Sequence, residues 1–177
     1  MFVCLLSGCA NNDSSMSKAL TMREKLIKAT NYSFDVQIVA DYGEDLYIFD
    51  LHCQSDPNGL HFSVITPETI AGLSGHISDI GGKLVFDEQA LGFPLLAEGQ
   101  ITPVSAPWVF IKTLKGGYIR ACSKIKEGYL LCIDDSYAEG ALQVDIIADA
   151  NLCPMQADIL WQGRRVLTLT ISNYQLL

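Results

Sequence analysis

Between Phe34 and Thr66 apolar and polar residues alternate, with breaks at Tyr42-Gly43-Glu44-Asp45 and at Asp56-Pro57-Asn58-Gly59. Alternation with a period of two marks half-buried strands, and Gly, Pro, Asn and Asp supply the backbone angles of tight turns. The stretch therefore reads as two β-hairpins sharing their middle strand. Closing each turn in its shortest sensible register sets Phe34 against Cys53, Val36 against Leu51, Ile38 against Phe49 and Ala40 against Tyr47. Across the second turn Cys53 faces Phe62 and Leu51 faces Val64. All of these fall on one side, because successive side chains point to opposite faces. Asp35, Gln37, Asp50, His52, Gln54, His61 and Ser63 fall on the other. A slip of one residue would reverse every side chain, so two turns giving the same partition define the register.

The pattern before and after this stretch predicts the remaining elements. Residues Ser17 to Ala29 suit a first helix, with Ser14, Ser15 and Ser17 as candidate caps and Ala19, Leu20, Leu26 and Ile27 on one side. Pro67 stops strand pairing, and Thr66-Pro67-Glu68-Thr69-Ile70-Ala71-Gly72 reads as a short turn or helix. Strands near Leu73–Ile80 and Lys83–Phe86 are joined by Gly81-Gly82. Glu88 to Thr102 lacks a clear period and reads as a loop over the sheet. Pro107 fits the first turn of a helix carrying Trp108, Val109, Phe110, Ile111 and Leu114, which Gly116-Gly117 ends. A helix apolar on nearly every side must be covered on most of them. From Tyr118 the meander resumes. A three-residue loop Lys126-Glu127-Gly128 would place Cys122 opposite Cys132 and Arg120 opposite Asp134. Strands near Leu142–Ala148, Met155–Leu160 and Val166–Ser172 follow, the last two joined at Trp161-Gln162-Gly163. The sum is an α+β arrangement: a strongly curved antiparallel sheet, an incomplete β-barrel of about eight to eleven strands, with helices on its concave side.

Composition narrows the classes of function. At 177 residues the chain is long enough for one domain with a real core, and its hydrophobic fraction of 49% against 18% charged excludes a disordered chain. A net charge of -8 and a pI near 4.7 argue against a nucleic-acid partner and give no pull toward an anionic membrane surface. No apolar run reaches the length of a transmembrane helix.

The N-terminus carries its own signal. Met1-Phe2-Val3-Cys4-Leu5-Leu6-Ser7-Gly8-Cys9-Ala10 is apolar and turns polar at Asn11-Asn12-Asp13-Ser14-Ser15. Leu6-Ser7-Gly8-Cys9 resembles a bacterial lipobox, in which the Cys receives a diacylglyceryl group and becomes the first mature residue. This divides the chain into residual signal peptide 1–8, polar tether 9–16 and a single domain 17–177. A lipid anchor on Cys9 would bind the membrane through its buried methylenes, about 0.8 kcal/mol each. The other reading is an ordinary buried apolar segment.

Titratable chemistry is sparse. Beyond Cys9 the cysteines are Cys4, Cys53, Cys122, Cys132 and Cys153, with no CxxC and no His at zinc-ligand spacing, so no metal site is expected. Cys122 and Cys132 are candidates for a cross-strand disulfide on the exported side of a membrane, or two free small hydrophobes facing each other. His52 and His61 share a face on a diagonal, with Asp50 near; they read as polar residues of a wet surface, the alternatives being a weak metal site or an acid–base pair. No Ser-His-Asp order, nucleophile elbow or phosphate loop is present, so neither an enzyme nor a cofactor is expected. The apolar stripe Phe34, Val36, Ile38, Phe49, Leu51, Phe62 and Val64, facing Trp108, Phe110 and Ile111, forms either a core or the wall of a hydrophobic cavity.

The order of these elements resembles the Lol-type lipoprotein carriers (LolA/LolB-like fold) and their tethered relatives among bacterial lipoproteins. The resemblance covers about Leu20 to Tyr174. It rests on the strands from Phe34, the turn Thr66 to Gly72, the Pro103-Val104-Ser105 helix leading to Gly116-Gly117-Tyr118-Ile119, and the hairpin Trp161-Gln162-Gly163-Arg164-Arg165-Val166-Leu167. It implies an incomplete barrel with helical lids around an apolar cavity that holds acyl chains or a hydrophobic partner element. Arg120 is a candidate for the family's positively charged cavity residue, or pairs with Asp134. The resemblance implies a non-catalytic lipoprotein of the cell envelope that binds a lipid or acyl chain. It would be anchored on the outer face of the cytoplasmic membrane, or in the outer membrane of a Gram-negative cell. The alternative is an interaction module that docks a cell-wall or spore enzyme or another envelope protein.

Overall fold

The two leading hairpins close in the expected register. In the computed structural model, which describes residues 10–41, 43, 45–86, 89–93, 96–97 and 100–177, β1 (Tyr32–Asp41) sets Phe34, Val36, Ile38 and Ala40 against Cys53, Leu51, Phe49 and Tyr47 of β2 (Leu46–Asp56). β3 (Gly59–Thr66) sets Phe62 and Val64 against Cys53 and Leu51. The apolar side is buried except for half-buried Phe49 and exposed Tyr47, and Gln37, His52, Gln54, His61 and Ser63 are exposed on the other.

The meander then runs outward on one side of β1 through β4 (Ser74–Ser78), β5 (Gly81–Phe86) and β6 (Gln89–Phe93). On the other side of β1 lies β13 (Arg164–Leu176), followed by β12 (Pro154–Trp161), β11 (Gln143–Asp149), β10 (Gly128–Asp134) and β9 (Tyr118–Ile125). Among the described residues the result is one antiparallel sheet of eleven strands, not closed, with β6 and β9 at its edges. The chain must pass from one edge to the other. It does so through a small hairpin, β7 (Leu96–Ala97) with β8 (Gln100–Ile101), a 3-10 turn at Pro103–Ser105 and α2 (Ala106–Gly116). That crossing puts α2 on the concave side, while α1 (Ala10–Lys28) packs on β9 and α2.

A single core joins both halves of the sheet to both helices. It holds Phe34, Ile38, Leu51 and Phe62 from one half, Leu131, Ile133, Ile159 and Leu169 from the other, and Leu26 and Phe110 from the helices. Each such side chain contributes about 2 kcal/mol by leaving water.

The structure corrects the following expectations. The first helix extends back to Ala10 and takes in most of the segment read as a polar tether, since no Gly or Pro interrupts 10–28. Its buried face is Ser15, Ala19, Met22 and Leu26, and Leu20 and Ile27 lie exposed. Where a loop was expected, Gln89–Phe93 supply an edge strand, paired with β5, and Leu96–Ala97 pairs with Gln100–Ile101. Gly81 and Gly82 belong to β5, and the turn before them is Asp79-Ile80. The β9–β10 hairpin turns on two residues, Lys126-Glu127, so Cys122 lies opposite Leu131 and Cys132 opposite Ala121. A bulge between Cys132 and Ile133 then shifts the pairing to Ile133–Ile119 and Asp134–Tyr118. Of the two readings of Cys122 and Cys132, the disulfide is not formed and both thiols are free; they do not face each other either, since the slip turns them to opposite faces. The last hairpin is a two-residue turn in which Gln162 (φ 51°) and Gly163 (φ 77°) both take the left-handed conformation.

Candidate functional site

The concave face is built by alternation alone. Phe34, Val36 and Ile38 of β1, Leu51 of β2, and Phe62 and Val64 of β3 all point inward and are buried, with Phe49 half-buried at the end of the stripe. Facing them, α2 buries Val109, Phe110, Ile111, Thr113 and Leu114 and half-buries Trp108. Phe110 meets Phe34 edge-on, ring centroids 6.0 Å apart at 85°, and Tyr174 closes on Phe34 from β13 at 6.3 Å. The structure thus brings the ten residues expected to line a cavity into one apolar cluster, in which α2 packs on β10, β12 and β13 and meets β1 through Phe110. The cavities of about 530, 280, 190 and 100 Å³ walled by described residues take in none of the ten.

α2 is held at its C-terminal end. Arg23 of α1 donates from Nε to the Leu114 carbonyl and from Nη2 to the Gly117 carbonyl, each at 2.7 Å. A cation there satisfies orphan carbonyls and complements the helix dipole. Gly117 is required by close approach: a Cβ would stand 2.5 Å from the Asp134 carbonyl oxygen and 2.7 Å from that of Thr113. Two polar atoms inside this packing have no partner among the described residues, Nε1 of Trp108 and Oγ1 of Thr113. Each carries a desolvation cost of about 1–3 kcal/mol.

An opening of about 190 Å³ lies beside α1, lined by Met22, Lys25, Leu152, Cys153, Tyr174 and Leu176. Tyr174 separates it from Phe34. Burial pushes the Tyr174 and Tyr32 hydroxyls up, and Lys115 stands over the Tyr32 ring at 4.6 Å. Arg120 lies away from the apolar interior. It is exposed, sits 3.5 Å from Asp134, and lines an open groove of about 530 Å³ with Gln143 and Leu160.

The thiols differ in setting. Cys53 is fully buried and its pKa is driven up by that burial. Burial and then Asp145 push Cys132 up to about 11. Cys9, the candidate for lipidation, lies outside the described residues.

On the outer face the histidines are partnered in a way the sequence did not suggest. His52 Nδ1 lies 2.6 Å from Asp35, while Asp50 takes a hydrogen bond from Gln37 at 3.0 Å. His61 and His76 are cross-strand neighbours on β3 and β4, and both imidazoles reach Asp56, at 2.6 and 3.3 Å. His76 was missed because the segment between β3 and β4 contains no short turn from which to count a register.

No family model matches the chain, and no curated protein matches it. Among solved structures it is similar to an uncharacterized conserved protein from Thermus thermophilus, at 14% identity and TM-score 0.52, over 92% of this chain and 88% of that one. It is also similar to a LolA superfamily protein from Nitrosomonas europaea, at 12% identity and TM-score 0.49, over 92% of this chain and 93% of that one. LprF from Mycobacterium bovis aligns at 10% identity and TM-score 0.45, over 93% of this chain and 94% of that one. At 14% identity the likeness to the Thermus thermophilus protein is one of fold alone.

Proposed function

We propose that this protein binds an acyl chain, a lipid or another hydrophobic ligand along the concave face of its half-barrel, with α2 as a displaceable plug, and that it carries out no catalysis. The observation that supports this is the plug itself. An apolar helix packs on an apolar face while burying two polar atoms that have no partner among the described residues. A helix selected only to fill a core has no need of a hydroxyl at position 113, whereas an unsatisfied pair narrows the gap between closed and open states. The opening lined by Met22, Leu152, Tyr174 and Leu176 offers an apolar entrance, and Lys25 at its rim suits an acidic headgroup. Cys9 would tether the domain at the outer face of a bacterial membrane through a diacylglyceryl group.

Native mass spectrometry of protein extracted from membranes, followed by titration of the delipidated chain with oleate, tests this reading. A co-purifying acyl species and saturable oleate uptake are expected, with a diacylglyceryl mass on the N-terminal peptide that Cys9→Ala removes. Thr113→Val keeps the shape and removes a hydroxyl that has no partner among the described residues; it is expected to stabilise the closed form by about 1 kcal/mol and weaken uptake about fivefold. A clean apo mass with no oleate uptake overturns the binding reading and turns attention to an envelope protein partner.

A further inference from the structure

We propose that Asp56, His61 and His76 form a binding site for a zinc-class divalent cation on the outer face of the sheet. Their donor atoms all lie within 4.8 Å of one another. A tetrahedral zinc with bonds of about 2.1 Å needs its ligands about 3.4 Å apart, so small side-chain rotations complete the arrangement. Two neutral imidazoles and one carboxylate are a donor set suited to zinc and its neighbours, whereas calcium and magnesium require oxygen ligands.

The site is built by the fold. Asp56 is the last residue of β2, and its Oδ1 accepts the Asn58 N–H at 2.6 Å inside the tight turn. That bond fixes the carboxylate and leaves Oδ2 for His61 Nε2 at 2.6 Å and His76 Nε2 at 3.3 Å. The two imidazoles are directly opposed on β3 and β4, with centroids 4.7 Å apart and planes at 55°. Gly59 makes the approach feasible, since a Cβ there would stand 2.9 Å from His76 Nε2 and 2.1 Å from the Ile77 carbonyl oxygen. Held this way, two imidazoles share one carboxylate oxygen, and a divalent cation engages all three donors at once. His61 is exposed, which leaves a fourth position for water or an exogenous ligand. Lys83 faces His76 from β5 and works against the cation, so the site is expected to be selective for strong imidazole binders over weakly held ions.

The test is a zinc titration of the full chain, without an affinity tag, in competition with a chromogenic chelator, and cobalt substitution read by visible absorption. One equivalent of zinc is expected to bind, with a tetrahedral cobalt spectrum and a zinc-dependent rise in Tm. His61→Gln and His76→Gln should each weaken zinc binding at least about tenfold, because loss of a ligand exceeds the effect of losing a supporting hydrogen bond to one. His52→Gln, on the same face but engaged with Asp35, should leave it unchanged. Circular dichroism of the metal-free variants establishes that they fold, and His61→Gln, at an exposed position, keeps the test decisive if His76→Gln does not. No saturable zinc binding, or wild-type affinity in a folded His61→Gln variant, overturns the proposal.

Discussion

Asp35 ties three neighbouring strands together on the outer face. Its Oδ2 accepts from Asn173 of β13 at 2.7 Å and its Oδ1 faces His52 of β2 at 2.6 Å. The Asn173 hydrogen bond first, then that of His52, holds the Asp35 carboxyl below the usual carboxylate range. A carboxyl with a depressed folded pKa stabilises the fold above its unfolded value of about 3.9, and that stability is lost as pH falls through the folded value. The urea midpoint is therefore expected to drop as pH is lowered from about 5 toward 3, with a shallower drop for Asp35→Asn. Parallel profiles for the two proteins would show that the Asp35 contacts add nothing. Histidine protonation must be matched in the comparison, and His52→Gln in the same background separates the two contributions.

At the scale of elements, the half of the sheet running from β3 to β6 depends on backbone proximity. Gly75 of β4 lies directly opposite Phe62 of β3. A Cβ at Gly75 would stand 2.5 Å from the tip of the Phe62 ring and 2.7 Å from the Lys83 carbonyl oxygen. The ring thus lies over the glycine, and that contact holds β4 on the core. Gly75→Ala must displace either a core aromatic or a paired strand, and is expected to lose about 1–3 kcal/mol in urea unfolding. Gly116→Ala, at the last position of α2 with nothing within 4 Å of the added methyl, serves as the control. It is expected to be neutral or stabilising by up to about 1 kcal/mol. Equal effects of the two substitutions would show that the Phe62 contact is not what Gly75 protects.

For the molecule as a whole, the sheet and the plug should open separately. β1 and β13, the N- and C-terminal strands, pair at the centre of the sheet, so its middle cannot open without global unfolding. α2 lies on the concave side, linked to the edge strands and anchored by Arg23. Hydrogen exchange should therefore find the amides of 110–114 opening at a lower free energy than those of β1, and Arg23→Met should lower that value by a further ~1–2 kcal/mol. Uniform exchange across α2 and β1 would make the helix a permanent part of the core, and the proposed ligand binding would then need another site.

Local chemistry in the sequence determined a good deal of this protein. The registers of β1, β2 and β3 follow from two short turns and strict alternation, because a two-sided pattern leaves one pairing that buries the apolar set. The capping of α2 by Pro107 and Gly117 and its need for cover follow from residue types alone. Tertiary structure decided the rest. The Lys126-Glu127 turn and the bulge beside Cys132 shift a register by a single residue, and no local signal distinguishes a two-residue loop from a three-residue one there. The start of α1 and its inward face were settled by packing on β9 and α2, which kept Ala19 and Leu26 inside and selected Met22 over Leu20 and Ile27. Edge strand β6 has no pattern of its own and exists because β5 offers it a partner. The meeting of Asp56, His61 and His76 arises from a β3–β4 pairing whose register a seven-residue connection left open. Whether the apolar face is a core or a site was the other matter the alternation could not decide, since both demand the same residues.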